Sequence, residues 1–198
     1  MSEKRESFAV AKAGLPADYP THAHSPRFWE ELGRTVATFG FLEEVLGKAI
    51  FAFTATRSYP EDEIEAAYAK WLPTLERALS DALGSLISSY GNAVKAHGEA
   101  KIVDIDHLLA DLREASNMRN VLCHGSWRMP DAQGKSLPLF VNREKEFFKT
   151  PVDEAHLRQV RQQVVDLICA VIDTVTRMGW QFPGSSGPGV AIFQSSRA

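Results

Sequence analysis

Apolar residues recur at alternating steps of three and four along much of the chain, a spacing typical of helices that pack one face. The first such stretch follows Ser25-Pro26, a helix cap with proline at the first helical position, and predicts a helix over about 26–53. Glu43 is the polar member of this stripe, whereas Glu44 falls off it, where we expect a solvated charge. The stripe consists of Trp29, Leu32, Val36, Phe39, Glu43, Leu46, Ile50 and Phe53.

A second helical segment is predicted over 64–90, and it contains Pro73. Proline lacks an N–H and clashes with the preceding turn, so we expect a kink or a break just before it. Residues 58–61 have the pattern of a capping box ahead of this segment. Gly91 is expected to end it, and 91–103 to be partly loop.

Two further stripes predict the third and fourth helices. The third helix should begin after Asp104, its expected cap, and run to about Cys123, with Gly125 at the C-cap. The fourth should start at Thr150-Pro151-Val152-Asp153 and run to about Met178. The stripe of the third helix is Ile105, Leu108, Leu112, Ala115, Arg119 and Leu122.

Between these two helices the pattern changes to short extended runs at 126–129 and 137–141, separated by turn residues, with a further short run at 146–149. Such runs are typical of a small inserted β hairpin at about 126–149.

Four long amphipathic segments with this insertion predict an all-α protein, a four-helix up-down bundle over 25–179. Residues 1–24 lack a clear period and are expected to form an irregular arm. Residues 180–198 contain a run rich in glycine, serine and proline and are expected to be a flexible tail.

Composition fits one well-filled domain, because the chain has 198 residues, of which 44% are hydrophobic and 24% charged. The net charge of −3 gives no overall basic field for nucleic acid, although a local cleft can differ from the whole surface.

The start of the chain is unlike a signal peptide, and no apolar run approaches bilayer length. Cys123 and Cys169 offer neither a disulfide framework nor zinc spacing, and both are expected to be reduced thiols in the core. We therefore expect a cytoplasmic protein without membrane contact.

Glu43 and Arg119 are opposite charges on two otherwise apolar stripes. The simplest physical account is that they meet, since pairing offsets much of the cost of removing each from water. Two interpretations stay open: a structural ion pair, or a pair that fixes the arginine for use on an anionic ligand.

Ser116, Asn120 and His124 follow at steps of four and share a helix face. A histidine that moves protons near neutral pH, an arginine and an amide are groups that a phosphoryl-transfer site uses. The alternative for His124 is a plain helix-terminal cap that interacts with the helix dipole.

Trp127 and Arg128 follow closely and could stack a base beside such a site, or the Trp could cover the end of the bundle.

Four other histidines carry less information. His22 and His24 resemble a metal pair, but no further ligands lie nearby in the sequence, so a solvated arm is expected and no metal site is predicted. His97 and His107 are isolated, and we expect both at the surface or at helix caps.

The stretch Arg119-Asn120-Val121-Leu122-Cys123-His124-Gly125 resembles the signature of HEPN-domain proteins, an Arg often followed by Asn and, a few positions later, by His. The setting is similar too, with the motif late in one long helix of a bundle. The resemblance implies a metal-independent endoribonuclease, or a degenerate relative, with no cofactor. Arg119 and His124 would be the catalytic pair, with Asn120 supporting them.

The resemblance further implies that two subunits bring their motifs together in a homodimer. The histidine would deprotonate the ribose 2′-hydroxyl or protonate the leaving oxygen, and the arginine would hold the pentavalent phosphate. RNA is the implied substrate, and the product would carry a 2′,3′-cyclic phosphate. Many relatives serve in toxin–antitoxin or anti-phage systems, so an antitoxin protein is an expected partner.

A second hypothesis is a non-catalytic interaction module, in which the Glu43–Arg119 pair is structural and the cleft binds a protein or a nucleotide. A locally positive groove would favour RNA cleavage. A His124 buried in its own hydrogen bonds would favour the module.

Overall fold

The structure is a computed structural model that describes residues 9–55, 61–78, 80–98, 100, 102 and 104–185. Within these residues the protein is all-α, as predicted. The five helices are α1 (Pro26–Ala55), α2 (Ile64–Ala78), α3 (Leu83–Ala96), α4 (Ile105–His124) and α5 (Glu154–Thr176), and short 3-10 turns cover Lys12–Gly14 and Glu61–Glu63. Among the described residues, no helix is long and apolar enough to cross a bilayer.

α1 follows its prediction closely. Ser25 caps the helix, because its Oγ accepts a hydrogen bond from the backbone N–H of Phe28 at 3.0 Å. Leu32, Phe39 and the later apolar positions of the stripe are buried, whereas Glu43 is half-buried. Glu44 is exposed, as expected, and pairs with Lys48.

A kink or a break was predicted just before Pro73, and no break is present there. α2 continues through the proline and ends at Ala78, and α3 begins at Leu83. Gly91 also lies inside α3 rather than at its end. A Cβ at this position would lie 2.8 Å from Cδ1 of Leu109, so the glycine lets α4 pack closely against α3. Ser58 and Pro60 of the predicted capping box lie outside the described residues.

The α4 stripe is rotated from its predicted phase. Ile105, Leu108, Ala115 and Arg119 of the predicted stripe are only half-buried. The buried residues of the helix are Leu109, Leu112, Ser116, Val121 and Leu122. Asp104 takes the N-cap position, but with φ +61° and no hydrogen bond from its side chain to the helix. The polar side of α4, which includes Arg119, therefore lies away from the core.

α1 packs mainly against α5 and α3, and α4 packs against α3 and α5. Tyr90 of α3 shares a 2.8 Å hydrogen bond with Thr174 near the end of α5. The neighbouring Gly91 contacts Leu109 near the start of α4. These contacts put the start of α4 level with the end of α5, so the two helices run in opposite directions and the end of α4 lies toward the start of α5.

The insertion, residues 125–153, joins α4 to α5. It contains isolated antiparallel bridges, Ser126 with Leu139, Ser136 with Val152 and Val141 with Phe147, and no longer strand among the described residues. The predicted hairpin is therefore not confirmed.

α5 begins at Glu154, later than the predicted start at Thr150-Pro151. Val152 is buried and extended, because its backbone N–H and C=O both bond to Ser136 of the insertion. Asp153 is the cap, and its Oδ1 accepts from the N–H of His156 at 2.7 Å.

Both cysteines were expected in the core, and this is wrong, since Cys123 and Cys169 are exposed and free. Each follows a buried residue, Leu122 or Ile168, and the next position on a helix turns about 100° away from its neighbour.

Candidate functional site

A groove of about 2590 Å³ runs between α4 and α5, and residues 140–150 of the insertion also line it. Ser116, Arg119, Asn120 and His124 all line it. The structure thus brings together the polar residues that the sequence placed at the end of the third helix.

Gly125 fixes how α4 ends. Its N–H bonds to the carbonyl of Val121 at 2.8 Å. A Cβ at this position would lie 2.6 Å from that carbonyl oxygen and 2.9 Å from Cβ of Pro138. Only glycine fits this close approach of helix and insertion, which leaves His124 as the last residue of α4, exposed at the groove.

The predicted contact between Glu43 and Arg119 is confirmed. Nη2 of Arg119 lies 3.7 Å from Oε1 of Glu43, and the two side chains are 30% and 29% exposed. This distance makes an ion pair but is too long for a hydrogen bond. Arg119 makes no hydrogen bond to another described residue, so its guanidinium N–H groups can bind a ligand while Glu43, on α1, offsets part of its charge.

His124 has no hydrogen bond or ion pair to the residues the structure describes. It is exposed in the last turn of α4, where a basic side chain also complements the helix dipole. Both interpretations of His124, proton transfer and cap, fit this position. The exposed position of His124 does not fit a histidine buried in its own hydrogen bonds, the arrangement that would have favoured the non-catalytic module.

Trp127 and Arg128 do not line the groove. The Trp127 ring packs against Phe28, with centroids 5.0 Å apart, and also contacts His24. Arg128 is exposed, and its carbonyl accepts a 2.6 Å hydrogen bond from Oγ of Ser136. Trp127 therefore covers the end of the helices, which was the alternative to base stacking.

His156 also lines the groove, and the sequence did not single it out. It lies in the first turn of α5, across the groove from α4, and its Nε2 is buried with no hydrogen-bond partner among the described residues. Its position three residues after the Asp153 cap is the only signal in the sequence. That signal indicates a helix start and not a site.

The groove is not positive as a whole. Of the residues that the structure describes, seven acidic residues line it against five Lys or Arg. The basic end, beside the insertion, holds Arg119, Arg143, Lys145 and Lys149, together with Glu144 and Glu146. The acidic half, toward the start of α4 and the end of α5, holds Asp104, Asp111, Glu114, Asp166 and Asp173, with Arg177. An anionic ligand would therefore be drawn to the end that contains Arg119 and His124.

Among the described residues, no group of three or more His, Cys, Asp or Glu side chains could hold a metal ion. His24 was expected in a solvated arm, and this is wrong, because its ring stacks on Phe28 with centroids 4.4 Å apart. Burial lowers the pKa of His24 below its ordinary value of 6.5.

His97 was expected at the surface or at a cap. It does follow the end of α3, but it is buried between Phe53 and Trp180. His107 is exposed, as expected, and its Nδ1 lies 3.2 Å from a carboxylate oxygen of Asp111.

Comparisons with protein-family models, with curated proteins and with solved structures found no match to this chain.

Proposed function

We propose that this chain is a metal-independent endoribonuclease of HEPN type, built as a four-helix up-down bundle with an inserted β hairpin. One observation carries the proposal: Arg119, Asn120 and His124 line one open groove, and Arg119 forms an ion pair with Glu43 while its N–H groups make no hydrogen bond to another described residue. A cation paired with a carboxylate and an accessible histidine in the same groove are groups that can catalyse the cleavage of a phosphodiester.

The chemistry uses the ribose 2′-hydroxyl as the nucleophile. His124 takes the hydroxyl proton as the 2′-oxygen attacks phosphorus, and the bond from phosphorus to the 5′-oxygen breaks. The leaving oxygen gains a proton from a second acid or from water, giving a 2′,3′-cyclic phosphate and a 5′-hydroxyl end. Arg119 stabilises the charge on the pentavalent phosphate, and the amide of Asn120 donates to a phosphoryl oxygen. Ser116 lies farther along the same line of the groove.

The proposal includes a homodimer in which two copies bring their grooves together, and an antitoxin protein as a partner in a toxin–antitoxin or phage-defence setting. The basic end of the groove supports RNA as the ligand, because its four Lys or Arg residues outnumber its two acids.

The test is cleavage of a mixed-sequence RNA by the purified protein in EDTA, with analysis of the new ends. The wild type is expected to leave 2′,3′-cyclic phosphates, and His124→Ala and Arg119→Ala should each lose at least about 100-fold in rate. His107→Ala is the matched control, because this histidine also lines the groove and is exposed, yet is not in the motif. No cleavage by the wild type, or equal cleavage by a folded His124→Ala variant, overturns the proposal.

Replacing Glu43 distinguishes a structural role of the Glu43–Arg119 ion pair from a role in catalysis. If Glu43 fixes Arg119 for catalysis, Glu43→Gln should lower the cleavage rate by about 10-fold and change stability by less than about 1 kcal/mol. Glu44→Gln is the control, because Glu44 is one residue away, exposed and off the stripe. A stability loss with an unchanged rate would assign the pair a structural role.

The second candidate is a non-catalytic binding module. The excess of acidic residues over the whole groove favours it, since RNA avoids a surface of its own sign. The expected outcome for this candidate is that the purified protein binds a nucleotide in EDTA but produces no new RNA ends, with equal nucleotide binding by His124→Ala.

A further inference from the structure

The insertion carries a row of exposed apolar side chains, part of which also lines the groove. Leu137, Leu139 and Val141 are 44%, 44% and 43% exposed. Between them Pro138 is buried and Phe140 is half-buried, so the segment alternates inward and outward as an extended chain does.

Phe147 belongs to the same face. It lies opposite Val141 in an antiparallel bridge, and residues directly opposite one another project on the same side. Phe147 is 60% exposed, whereas its neighbour Phe148 packs against the core. We call Leu137, Leu139, Val141 and Phe147 the apolar face.

This arrangement is the reverse of an ordinary surface β segment, in which the side toward water is polar. Contiguous exposed apolar side chains bounded by charges mark an interaction surface. We therefore expect a binding partner to cover the apolar face.

The charged residues beside the apolar face indicate which partner binds there. The tip, Arg143–Glu146, reads Arg, Glu, Lys, Glu, and all four residues are exposed. None of them forms an ion pair with another residue that the structure describes. An interface between two identical copies about a two-fold axis must be its own complement, and a tip with equal numbers of both signs meets this condition. An RNA or a strongly charged partner would instead favour one sign.

We propose that a second copy of this chain binds the apolar face through its own apolar face, about a two-fold axis. Arg143 and Lys145 of each copy then lie against Glu144 and Glu146 of the other. Because Val141, Phe147 and the tip also line the groove, each copy contributes residues to the basic end of the other copy's groove. The inference rests on the proposed function for its homodimer and names the surface that forms it.

The first experiment measures mass in solution by light scattering and sedimentation, which does not depend on RNA cleavage. The wild type is expected to be a dimer. Leu139→Ser with Phe147→Ser should raise the dissociation constant of the dimer by at least about 100-fold, because the apolar contact area is lost. Met129→Ser, exposed in the same insertion but off the face, and Phe41→Ser, exposed on α1, should leave the mass unchanged.

The second experiment exchanges charges at the tip. One variant carries Arg143→Glu and Lys145→Glu, and the other carries Glu144→Lys and Glu146→Lys. Each should fail to dimerise alone because like charges then face each other, and an equimolar mixture should recover the dimer mass. This recovery also shows that both variants are folded.

A wild type that stays monomeric, a dimer that Leu139→Ser with Phe147→Ser leaves intact, or charge variants that do not recover on mixing overturns the inference. If the face variant loses RNA binding while the wild type is monomeric, the face binds nucleic acid and not a second copy. RNA cleavage by a monomeric wild type would remove this interface and the homodimer but leave the proposed RNA cleavage standing. A dimer that does not cleave RNA would leave the interface standing and remove the proposed cleavage.

Discussion

At the scale of single residues, the site depends on a few positions where one side chain decides the local geometry. Arg119 is tolerable on a half-buried helix edge because Glu43 faces it at 3.7 Å. Gly125 is equally decisive, because it lets α4 end against the insertion with no space for a methyl group. The sequence supports both assignments, since a charge in an apolar stripe and a glycine after a helix are visible without coordinates.

Gly125→Ala is expected to destabilise the protein by about 1–3 kcal/mol, because the added Cβ overlaps a backbone oxygen that cannot move away alone. Gly40→Ala is the matched control. A Cβ at Gly40 meets nothing within 4 Å and lies inside α1, so this change should stabilise by up to about 1 kcal/mol. Urea unfolding measures both, and equal free energies of unfolding for the two variants would contradict the role of Gly125.

At the scale of elements, the last residues of the N-terminal arm, 21–24, contact α1 and the insertion. Nε1 of Trp29 donates a 2.8 Å hydrogen bond to the carbonyl of Thr21. The His24 ring lies against Phe28, Trp29 and Trp127, which joins the arm, α1 and the insertion. Burial in this aromatic cluster favours the neutral imidazole.

The lowered pKa of His24 predicts how stability changes with pH. The unfolded chain binds more protons than the folded chain in this range. The contribution of His24 is therefore complete above about pH 6.5 and is lost as the pH falls through the lowered pKa. His24→Phe keeps an aromatic ring but removes the titration, so its free energy of unfolding should fall less on acidification than that of the wild type.

Urea unfolding at about pH 7.5 and about pH 5.5 measures this difference. His22→Phe is the control, because His22 is exposed on the same arm. A wild type and His24→Phe variant with parallel pH dependence would show that the arm does not bury this imidazole.

The same elements explain how far the sequence predicted the structure. α1 was predicted well, because its stripe is long, capped and buried against several neighbours. The phase of α4 was not, since Leu109 is drawn inward by the space at Gly91 on another helix, which no pattern within α4 reveals. His156 was missed for the same reason, because a groove between two helices exists only once their packing is known.

At the scale of the whole molecule, the groove has basic residues at one end and acidic residues in the other half. A net charge of −3 excludes a general basic field, yet the basic end gathers Arg119, Arg143, Lys145 and Lys149 around the motif. The acidic half would repel a phosphate backbone. Under the proposed function, RNA is therefore expected to cross the groove at the basic end, with a short footprint, and not to run along its length.

Charge changes at the two ends should consequently act in opposite directions on RNA affinity. Lys149→Glu, in the basic end but outside the tip, is expected to weaken binding about 10-fold and to lower the salt dependence by about one phosphate contact. Asp166→Asn in the acidic half should strengthen binding slightly, because it removes a repulsive charge. Lys70→Glu, exposed on α2 and outside the groove, makes the same charge change as Lys149→Glu and should act far more weakly. Fluorescence anisotropy of a labelled RNA over a series of salt concentrations measures all three, using His124→Ala as the background so that the RNA stays intact. Equal losses for Lys149→Glu and Lys70→Glu would mean that net charge, and not the basic end of the groove, governs the binding of RNA.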